Sequence, residues 1–196
     1  MIPSFGPAGH IVFLNGVSSS GKSSIAEHLL PMLDRPYFHM QVDAFGRMRS
    51  GERTAALDPA ELDATLTRTR GGFHRAVAGM AAAGNDIVVD HVLSERWRLL
   101  DCLTVLADYD VTFVGVHCSV EELARRERAR GDRQIGQAAT QLETVHAHGT
   151  YDLECDTTTT TPYECAIQIR DFLARPERPV AFDRLRSRLL EAEPQR

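Results

Sequence analysis

The stretch IVFLNGVSSSGKSS, residues 11–24, decides the fold expected of this chain. It begins as an apolar run typical of a buried strand and changes abruptly to glycine and serine around a single lysine. Residues 16–23 match the pattern GxxxxGK[ST], in which backbone N–H groups and a lysine surround phosphate oxygens. The helix-like residues that follow add the positive end of a helix. We therefore predict a phosphate-binding loop (P-loop) between a first strand and a first helix.

The pattern assigns a role to each position of this loop. Glycines let the backbone curl so that successive N–H groups point at phosphate oxygens. Lys22 is expected to reach the outer phosphates, and the Ser23 hydroxyl is expected to hold magnesium. The predicted phosphate-binding residues are Gly16, Val17, Ser18, Ser19, Ser20, Gly21, Lys22, Ser23 and Ser24.

Composition narrows the class of protein. The chain has 196 residues, of which 43% are hydrophobic and 25% charged, as is usual for one globular domain. A net charge of −5 leaves no overall basic surface and argues against nucleic acid as a partner. No signal peptide or membrane-spanning stretch is recognised, so we expect a cytoplasmic protein that acts on a small molecule, away from membranes. The cysteines lack CxxC spacing and are expected to be free core thiols: Cys102, Cys118, Cys155 and Cys165.

Apolar segments alternate with amphipathic ones along most of the chain. Strands are predicted over residues 10–15, 38–43, 86–90, 111–118 and 151–156. Helices are predicted over residues 22–33, 59–83, 94–107, 119–130 and 162–174. Such alternation predicts an α/β fold with a parallel sheet between two layers of helices. With a P-loop after the first strand, this is the three-layer sandwich of the P-loop NTPases, with a five-stranded parallel sheet.

Carboxylates that follow the predicted strands are candidates for chemistry. Ligands of such sheets bind at the carboxyl ends of the strands, where Asp43 and Asp90 are expected. Phosphoryl transfer to a hydroxyl needs a carboxylate that accepts the proton, and magnesium needs oxygen ligands. We predict Asp43 as the base and Asp90 as a metal ligand with Ser23. The substrate-binding candidates are Asp43, Phe45, Asp90 and His91, although His91 is equally compatible with a place in the core.

The segment ELARRERARGDR, residues 122–133, concentrates arginines on a predicted helix. Arg125 and Arg126 are expected to be solvated and paired with Glu121 and Glu122. Arg130 and Arg133 flank a Gly-Asp pair where the helix is expected to give way to a loop. We predict that this loop closes over the transferred group as a lid, residues 126–140, and that its catalytic cations are Arg130 and Arg133.

These motifs together resemble a known family. IVFLNGVSSSGKSS, VDAF at 42–45, IVVDHVL at 87–93 and RERARGDR at 126–133 are similar to segments of chloramphenicol phosphotransferase and its P-loop kinase relatives. The resemblance extends over residues 10 to about 173 and implies the fold of the nucleoside and shikimate kinases. It also implies a cytoplasmic, ATP-dependent kinase that phosphorylates a hydroxyl of a small molecule.

The resemblance carries over to individual residues. It implies ATP and Mg²⁺ as cofactors, Asp43 as the base, and Lys22 with Ser23 as phosphate and magnesium contacts. It implies that Arg130 and Arg133 are the lid arginines, of which Arg130 also contacts the nucleotide. It further implies that DTTTTTPYE, residues 156–164, lies beside the adenine ring.

The acceptor side, about residues 44–75, leaves the acceptor open. Arg47, Arg49 and Arg53 lie where chloramphenicol would need apolar walls. They are either solvent-exposed or face the pocket, and in the second case they favour a polar or negatively charged acceptor. The resulting hypothesis is an ATP-dependent small-molecule O-phosphotransferase, with antibiotic inactivation as one biological role. The alternatives are a metabolite or nucleotide kinase of the same fold, or a regulatory ATPase.

Two segments lie outside these assignments. His146 and His148 have no further ligands in sequence and are more typical of a surface pair than of a metal site. Residues 1–174 are predicted to form the kinase domain, and residues 175–196 a linker with a short helix. That helix is expected to pack on the domain or on a neighbouring subunit, so a homo-oligomer remains open.

Overall fold

The strand that precedes the P-loop lies in the centre of a parallel sheet. The structure is a computed structural model that describes the backbone of residues 6–130 and 137–191 and the side chains of residues 6–129 and 140–190. The strands are β1 (Ile11–Asn15), β2 (Tyr37–Gln41), β3 (Asp86–His91), β4 (Val111–His117) and β5 (Leu153–Asp156). They are arranged in the order β2-β3-β1-β4-β5, and every neighbouring pair is parallel. The predicted five-stranded parallel sheet is confirmed.

Helices cover both faces of this sheet. Their bounds are α1 (Lys22–Leu29), α2 (Val42–Arg47), α3 (Gly51–Ala55), α4 (Pro59–Ala82), α5 (Arg96–Val105), α6 (Val120–Arg130), α7 (Gln137–Val145), α8 (Pro162–Leu173) and α9 (Ala181–Arg186). A short 3₁₀ turn, Leu30–Met32, follows α1, and a π-helical turn, Ser187–Glu191, follows α9. Capping boxes begin α4 at Asp58 and α8 at Thr161. No helix within these described ranges is both long enough and apolar enough to span a bilayer.

The apolar residues of β1 are divided between two cores. Ile11 and Phe13 pack with side chains of α4, α5 and α9 on one face of the sheet. Val12 and Leu14 pack with side chains of α1 and α8 on the other face. A central parallel strand is buried on both faces and therefore reads as a continuous apolar run. This is why the first residues of IVFLNGVSSSGKSS lack the alternation of a half-exposed strand.

The segment after β2 differs from the predicted one. The strand ends at Gln41, and α2 begins at Val42, so Asp43 lies in the first turn of a helix and not at the end of a strand. Apolar residues continue to alternate through Val42, which packs against the core. The sequence pattern therefore predicts a strand that continues past its observed end. Helices α2, α3 and α7 have only six, five and nine residues. They are too short for a 3.6-residue apolar period to be recognised.

The C-terminal segment packs on the sheet of its own chain. The Phe182 ring of α9 lies 5.8 Å from Phe13 and 4.9 Å from Phe113. The Asp152 carboxylate accepts hydrogen bonds from the backbone N–H groups of Val180 and Ala181 at 2.7 and 2.9 Å. These contacts hold the N-terminal end of α9 against the sheet. All four cysteines are buried and free, as expected.

Candidate active site

The P-loop connects β1 to α1 through a strained turn. Ser19 and Gly21 have φ of 62° and 97°, in the left-handed region that glycine adopts without penalty and serine does not. Gly16 allows close packing, because a Cβ at that position would lie 2.4 Å from the Val116 carbonyl oxygen. The turn directs its backbone toward the first residues of α1.

Two side chains of α1 meet Asp90 at the end of β3. The Ser23 hydroxyl donates a hydrogen bond to Asp90 Oδ2 at 2.5 Å. Lys22 Nζ lies 3.8 Å from Asp90 Oδ1 and donates to the Val17 carbonyl oxygen at 2.8 Å. Lys22 is only 6% exposed and Asp90 only 8%, so the ammonium and the carboxylate compensate each other in a poorly solvated place. The predicted proximity of Lys22, Ser23 and Asp90 is present.

Two cavities open next to this cluster. The smaller, about 310 Å³, is the P-loop cavity, and its lining includes Ser18, Ser19, Gly21, Lys22, Ser23, Ser24, Asp43 and Asp90. The larger, about 770 Å³, is the arginine-lined cavity, and its walls come mainly from α2, α3, α4 and the segment between β3 and α5. The cavities share Ser18, Val42, Asp43, Arg47 and Val92. Asp43 therefore belongs to the wall between them.

Arg126 joins the P-loop to the loop after β5. Its Nη2 donates to the Thr157 carbonyl oxygen at 2.7 Å, and its Nη1 donates to Thr157 Oγ1 at 3.1 Å and to the Ser19 carbonyl oxygen at 3.3 Å. The predicted ion pair with Glu122 is present at 2.8 Å. The prediction of a solvated side chain is wrong, since the Arg126 side chain is 23% exposed. Hydrogen bonds from Arg125 and Arg126 lower the pKa of Glu122 to about 2.

A second connection to the P-loop comes from Thr157 itself. Its hydroxyl lies 2.7 Å from the Ser20 carbonyl oxygen, and Thr157 is 3% exposed. Sequence analysis assigned no role to Arg126 or Thr157 in holding the loop. The signal available in sequence was the position of Thr157 directly after a strand.

His91 belongs to a buried hydrogen-bonded chain. His91 Nδ1 accepts from the Val92 backbone N–H at 2.8 Å, so its proton is on Nε2 and is donated to His74 Nε2 at 2.9 Å. His74 Nδ1 then donates to Asp101 at 2.6 Å, and Arg75 holds the same carboxylate. Burial, and after it the electrostatic interaction with His74, lowers the pKa of His91 well below its ordinary value. His91 is thus both packed in the core and part of the larger cavity wall.

The histidines near the end of α7 are not a surface pair. The His146 ring stacks on His117 at 4.1 Å, and its Nδ1 lies 2.6 Å from the Tyr151 hydroxyl. The His148 ring lies 5.2 Å from Phe113 in a stacked arrangement. Burial is the main reason why the pKa of His146 falls to about 3 and that of His148 to about 4. Both rings belong to a cluster of aromatic side chains on the sheet and do not lie in a solvated loop.

The remaining predicted residues divide into three groups. Phe45 lines neither cavity, because its ring packs against Phe73 at 5.6 Å, so its assignment as a substrate contact is not supported. Arg47 and Arg49 line the larger cavity, whereas the exposed Arg53 does not. Arg133 lies outside the described residues. Arg130 ends α6, and its side chain also lies outside the described set.

Three of the nine predicted phosphate-binding residues do not line the P-loop cavity: Gly16, Val17 and Ser20. Val17 is fully buried and supplies the carbonyl oxygen that Lys22 contacts. Ser20 Oγ is buried without a hydrogen-bond partner. These three residues therefore contribute to the conformation of the P-loop and not to the surface of its cavity.

The family of the chain follows from comparison with known proteins. Residues 9–174 match the model of the family described as chloramphenicol phosphotransferase-like protein. The chain belongs to this family. Relatives named "Putative O-phosphotransferase" from Mycobacterium tuberculosis strains CDC 1551 and H37Rv are 32% identical to it, over 94% of this chain and 91% of theirs.

Solved structures agree with the fold. The APS kinase of Mycobacterium tuberculosis has a TM-score of 0.63 at 19% identity, covering 86% of this chain and 99% of that chain. Shikimate kinase from Acinetobacter baumannii has a TM-score of 0.58 at 15% identity, covering 84% and 93%. Family and fold together make this chain a P-loop phosphotransferase of the kinase type.

Proposed function

We propose that the protein transfers the γ-phosphoryl group of ATP to a hydroxyl of a small molecule. The observation that carries this proposal is the position of Asp43 in the wall between the two cavities. Nucleotide phosphates fit the P-loop cavity, and an acceptor of metabolite size fits the larger one. A carboxylate at the junction can reach the acceptor hydroxyl where it meets the phosphate.

The proposed phosphoryl transfer replaces one oxygen–phosphorus bond with another. The acceptor oxygen forms a bond to the γ-phosphorus while the bond from that phosphorus to the bridging β,γ oxygen breaks, and ADP leaves. The hydroxyl proton passes to the Asp43 carboxylate. Lys22 exchanges its bond to the Val17 carbonyl for an outer phosphate oxygen, where its charge stabilises the transferred group.

The site also fits magnesium. Ser23 Oγ and Asp90 Oδ2, 2.5 Å apart, are the hard oxygen donors that this ion prefers. When bound, Mg²⁺ neutralises the negative charge of the phosphates. Arg126 and Thr157 hold the P-loop from the other side, which keeps its backbone N–H groups directed at the phosphates.

Asp43→Asn tests this proposal, because it keeps the shape of the side chain and removes the proton acceptor. General-base assistance contributes about 10²- to 10⁴-fold in rate, so kcat for phosphoryl transfer should fall by a similar factor while the Kd for ADP stays within about twofold. The measurement is ADP release with and without a panel of hydroxylated acceptors. The matched control is Asp63→Asn on the exposed side of α4, which should behave as wild type.

The alternative is that Asp43 has only a structural role. As an acidic residue in the first turn of α2, it would stabilise the positive N-terminal end of that helix. In that case Asp43→Asn would lower the melting temperature slightly and reduce kcat less than threefold. Release of ADP that no acceptor accelerates would instead favour a regulatory ATPase.

A further inference from the structure

The larger cavity has a strongly cationic wall. Its lining contains four arginines and one aspartate: Arg47, Arg49, Arg70, Arg98 and Asp43. Four guanidinium groups against one carboxylate give this lining a formal charge of +3. A cavity built for an uncharged aromatic molecule has no use for this charge, since each desolvated cation costs free energy unless an anion compensates it.

Arg98 is the most buried of these cations. Its side chain is 9% exposed, and it donates to the Val92 carbonyl oxygen at 3.1 Å and to Ser94 Oγ at 2.9 Å. It also pairs with Glu95, whose own side chain is 51% exposed. Arg98 Nε is buried and has no hydrogen-bond partner. This cation therefore keeps an unsatisfied donor, and oxyanions are the acceptors that guanidinium groups bind most strongly.

Arg70 adds a second positive charge beside Arg98. Burial, and after it the charge of Arg70, lowers the pKa of Arg98. Within the described ranges, no carboxylate forms an ion pair with Arg70. Arg49 repeats the pattern, because its Nε is also buried without a partner. Like charges at one wall with unsatisfied donors are expected where an anionic ligand completes the site.

The His91 imidazole does not change the positive charge of this cavity wall. His91 accepts at Nδ1 and donates at Nε2 within its buried chain, so its ring is neutral. Arg98 has a structural role too, since its contacts with Val92 and Ser94 support the segment before α5. That role accounts for its terminal nitrogens. It does not account for the free Nε of Arg98 or for Arg70.

We propose that the acceptor carries an oxyanion group, a carboxylate, phosphate or sulfate, which Arg70 and Arg98 bind in the arginine-lined cavity. This rests on the proposed function, because the same molecule presents its hydroxyl to Asp43. Arginine binds all three groups through paired N–H donors. The anion orients the acceptor, and the distance from the anion to the hydroxyl selects which molecules are phosphorylated.

The test compares acceptors in pairs in which only one member carries the anionic group. Hydroxycarboxylic acids are paired with their methyl esters, and sugar phosphates and sugar sulfates with the parent sugars. ADP release is measured for each member. We expect the charged member of the productive pair to have a kcat/KM at least tenfold higher than its uncharged partner. Which type of pair shows this difference identifies the anion as a carboxylate, a phosphate or a sulfate. Equal or better turnover of the uncharged members would overturn the proposal.

Arg70→Met provides the matching variant, because Arg70 lines the cavity without supporting a loop. We expect kcat/KM for the charged acceptor to fall at least tenfold, mainly through KM, with the Kd for ADP unchanged. The control is Arg68→Met on the same helix, since Arg68 is exposed and donates to Thr65. Equal effects of both variants would overturn the assignment of Arg70.

A binding experiment separates this proposal from the proposed function. The single tryptophan of the chain, Trp97, lies 5.9 Å from the Arg98 guanidinium and reports on this wall. With ADP saturating the P-loop, the same probes are titrated against Trp97 fluorescence. Saturable binding of an anionic probe that its uncharged partner lacks, and that Arg70→Met abolishes, supports the anion site even if no acceptor is phosphorylated. If none of the anionic probes binds, the anion site is refuted.

Discussion

Arg126→Met tests whether the contacts between α6 and the P-loop hold the nucleotide site in shape. The variant keeps the length of the side chain and removes every hydrogen bond of the guanidinium. Two of these bonds, to Thr157 at 2.7 and 3.1 Å, have good geometry, whereas the bond to the Ser19 carbonyl at 3.3 Å is long. The fourth bond, from Arg126 Nε to Glu122 at 2.8 Å, is an i,i+4 pair within α6. Pairs of this kind contribute only a few tenths of a kcal/mol, roughly 0.3–0.5. Only the two bonds to Thr157 are therefore expected to contribute much to stability.

The magnitude follows from these two bonds. A hydrogen bond from a charged donor contributes about 1.5–3 kcal/mol, and the 23% exposure of Arg126 reduces this. We expect the free energy of unfolding to fall by about 2–4 kcal/mol. For a chain of this size, that lowers the melting temperature by about 5–15 °C. The loss also frees Ser19 to leave its left-handed conformation, so the Kd for Mg-ADP should rise about tenfold.

The assay combines thermal unfolding with calorimetric titration of Mg-ADP. Arg125→Met is the matched control: Arg125 is the adjacent residue, its side chain is 67% exposed, and its hydrogen bonds within the described chain go to Glu122. The control should keep a melting temperature within about 2 °C of wild type, because exposed ion pairs contribute little. If Arg126→Met unfolds and binds Mg-ADP as Arg125→Met does, the bonds across to Thr157 do not shape the loop and our reasoning is wrong.

Two further predictions concern the P-loop lysine and acid stability. Lys22→Met should lower kcat by roughly 10²-fold or more, because it removes the charge next to the transferred group, and wild-type turnover in a single-turnover assay would contradict this. Because burial lowers the pKa of His146 to about 3 and of His148 to about 4, against 6.5 in the unfolded chain, the unfolded state takes up these protons first as the pH falls. Each histidine alone would remove roughly 2 kcal/mol of stability between pH 6.5 and pH 4.5. Because both side chains are partly exposed, we expect about half of the sum, a decrease of about 2 kcal/mol in the free energy of unfolding. His148→Gln should reduce this decrease in urea titrations.

The sequence by itself determined the fold and the P-loop. Both depend on local patterns, since the continuous apolar run of β1 and the glycines beside Lys22 act within a few residues of one another. The alternation of strands and helices then leaves one common arrangement, a parallel sheet with right-handed crossovers. This arrangement brings Ser23 to Asp90 across 67 residues of sequence, which is why that contact could be predicted.

Tertiary structure alone decided what surrounds the P-loop. Arg126 reads as a surface residue because its pattern on α6 matches a solvated ion pair, yet its main partner, Thr157, lies 31 residues further along the chain. The cluster of Arg70 and Arg98 is equally invisible in sequence, since α4 and α5 bring the two together only when they pack on the same face of the sheet. Local periodicity encodes which face of a helix is buried. It does not encode which polar groups of distant segments meet, because that depends on how the helices pack against the sheet and against each other.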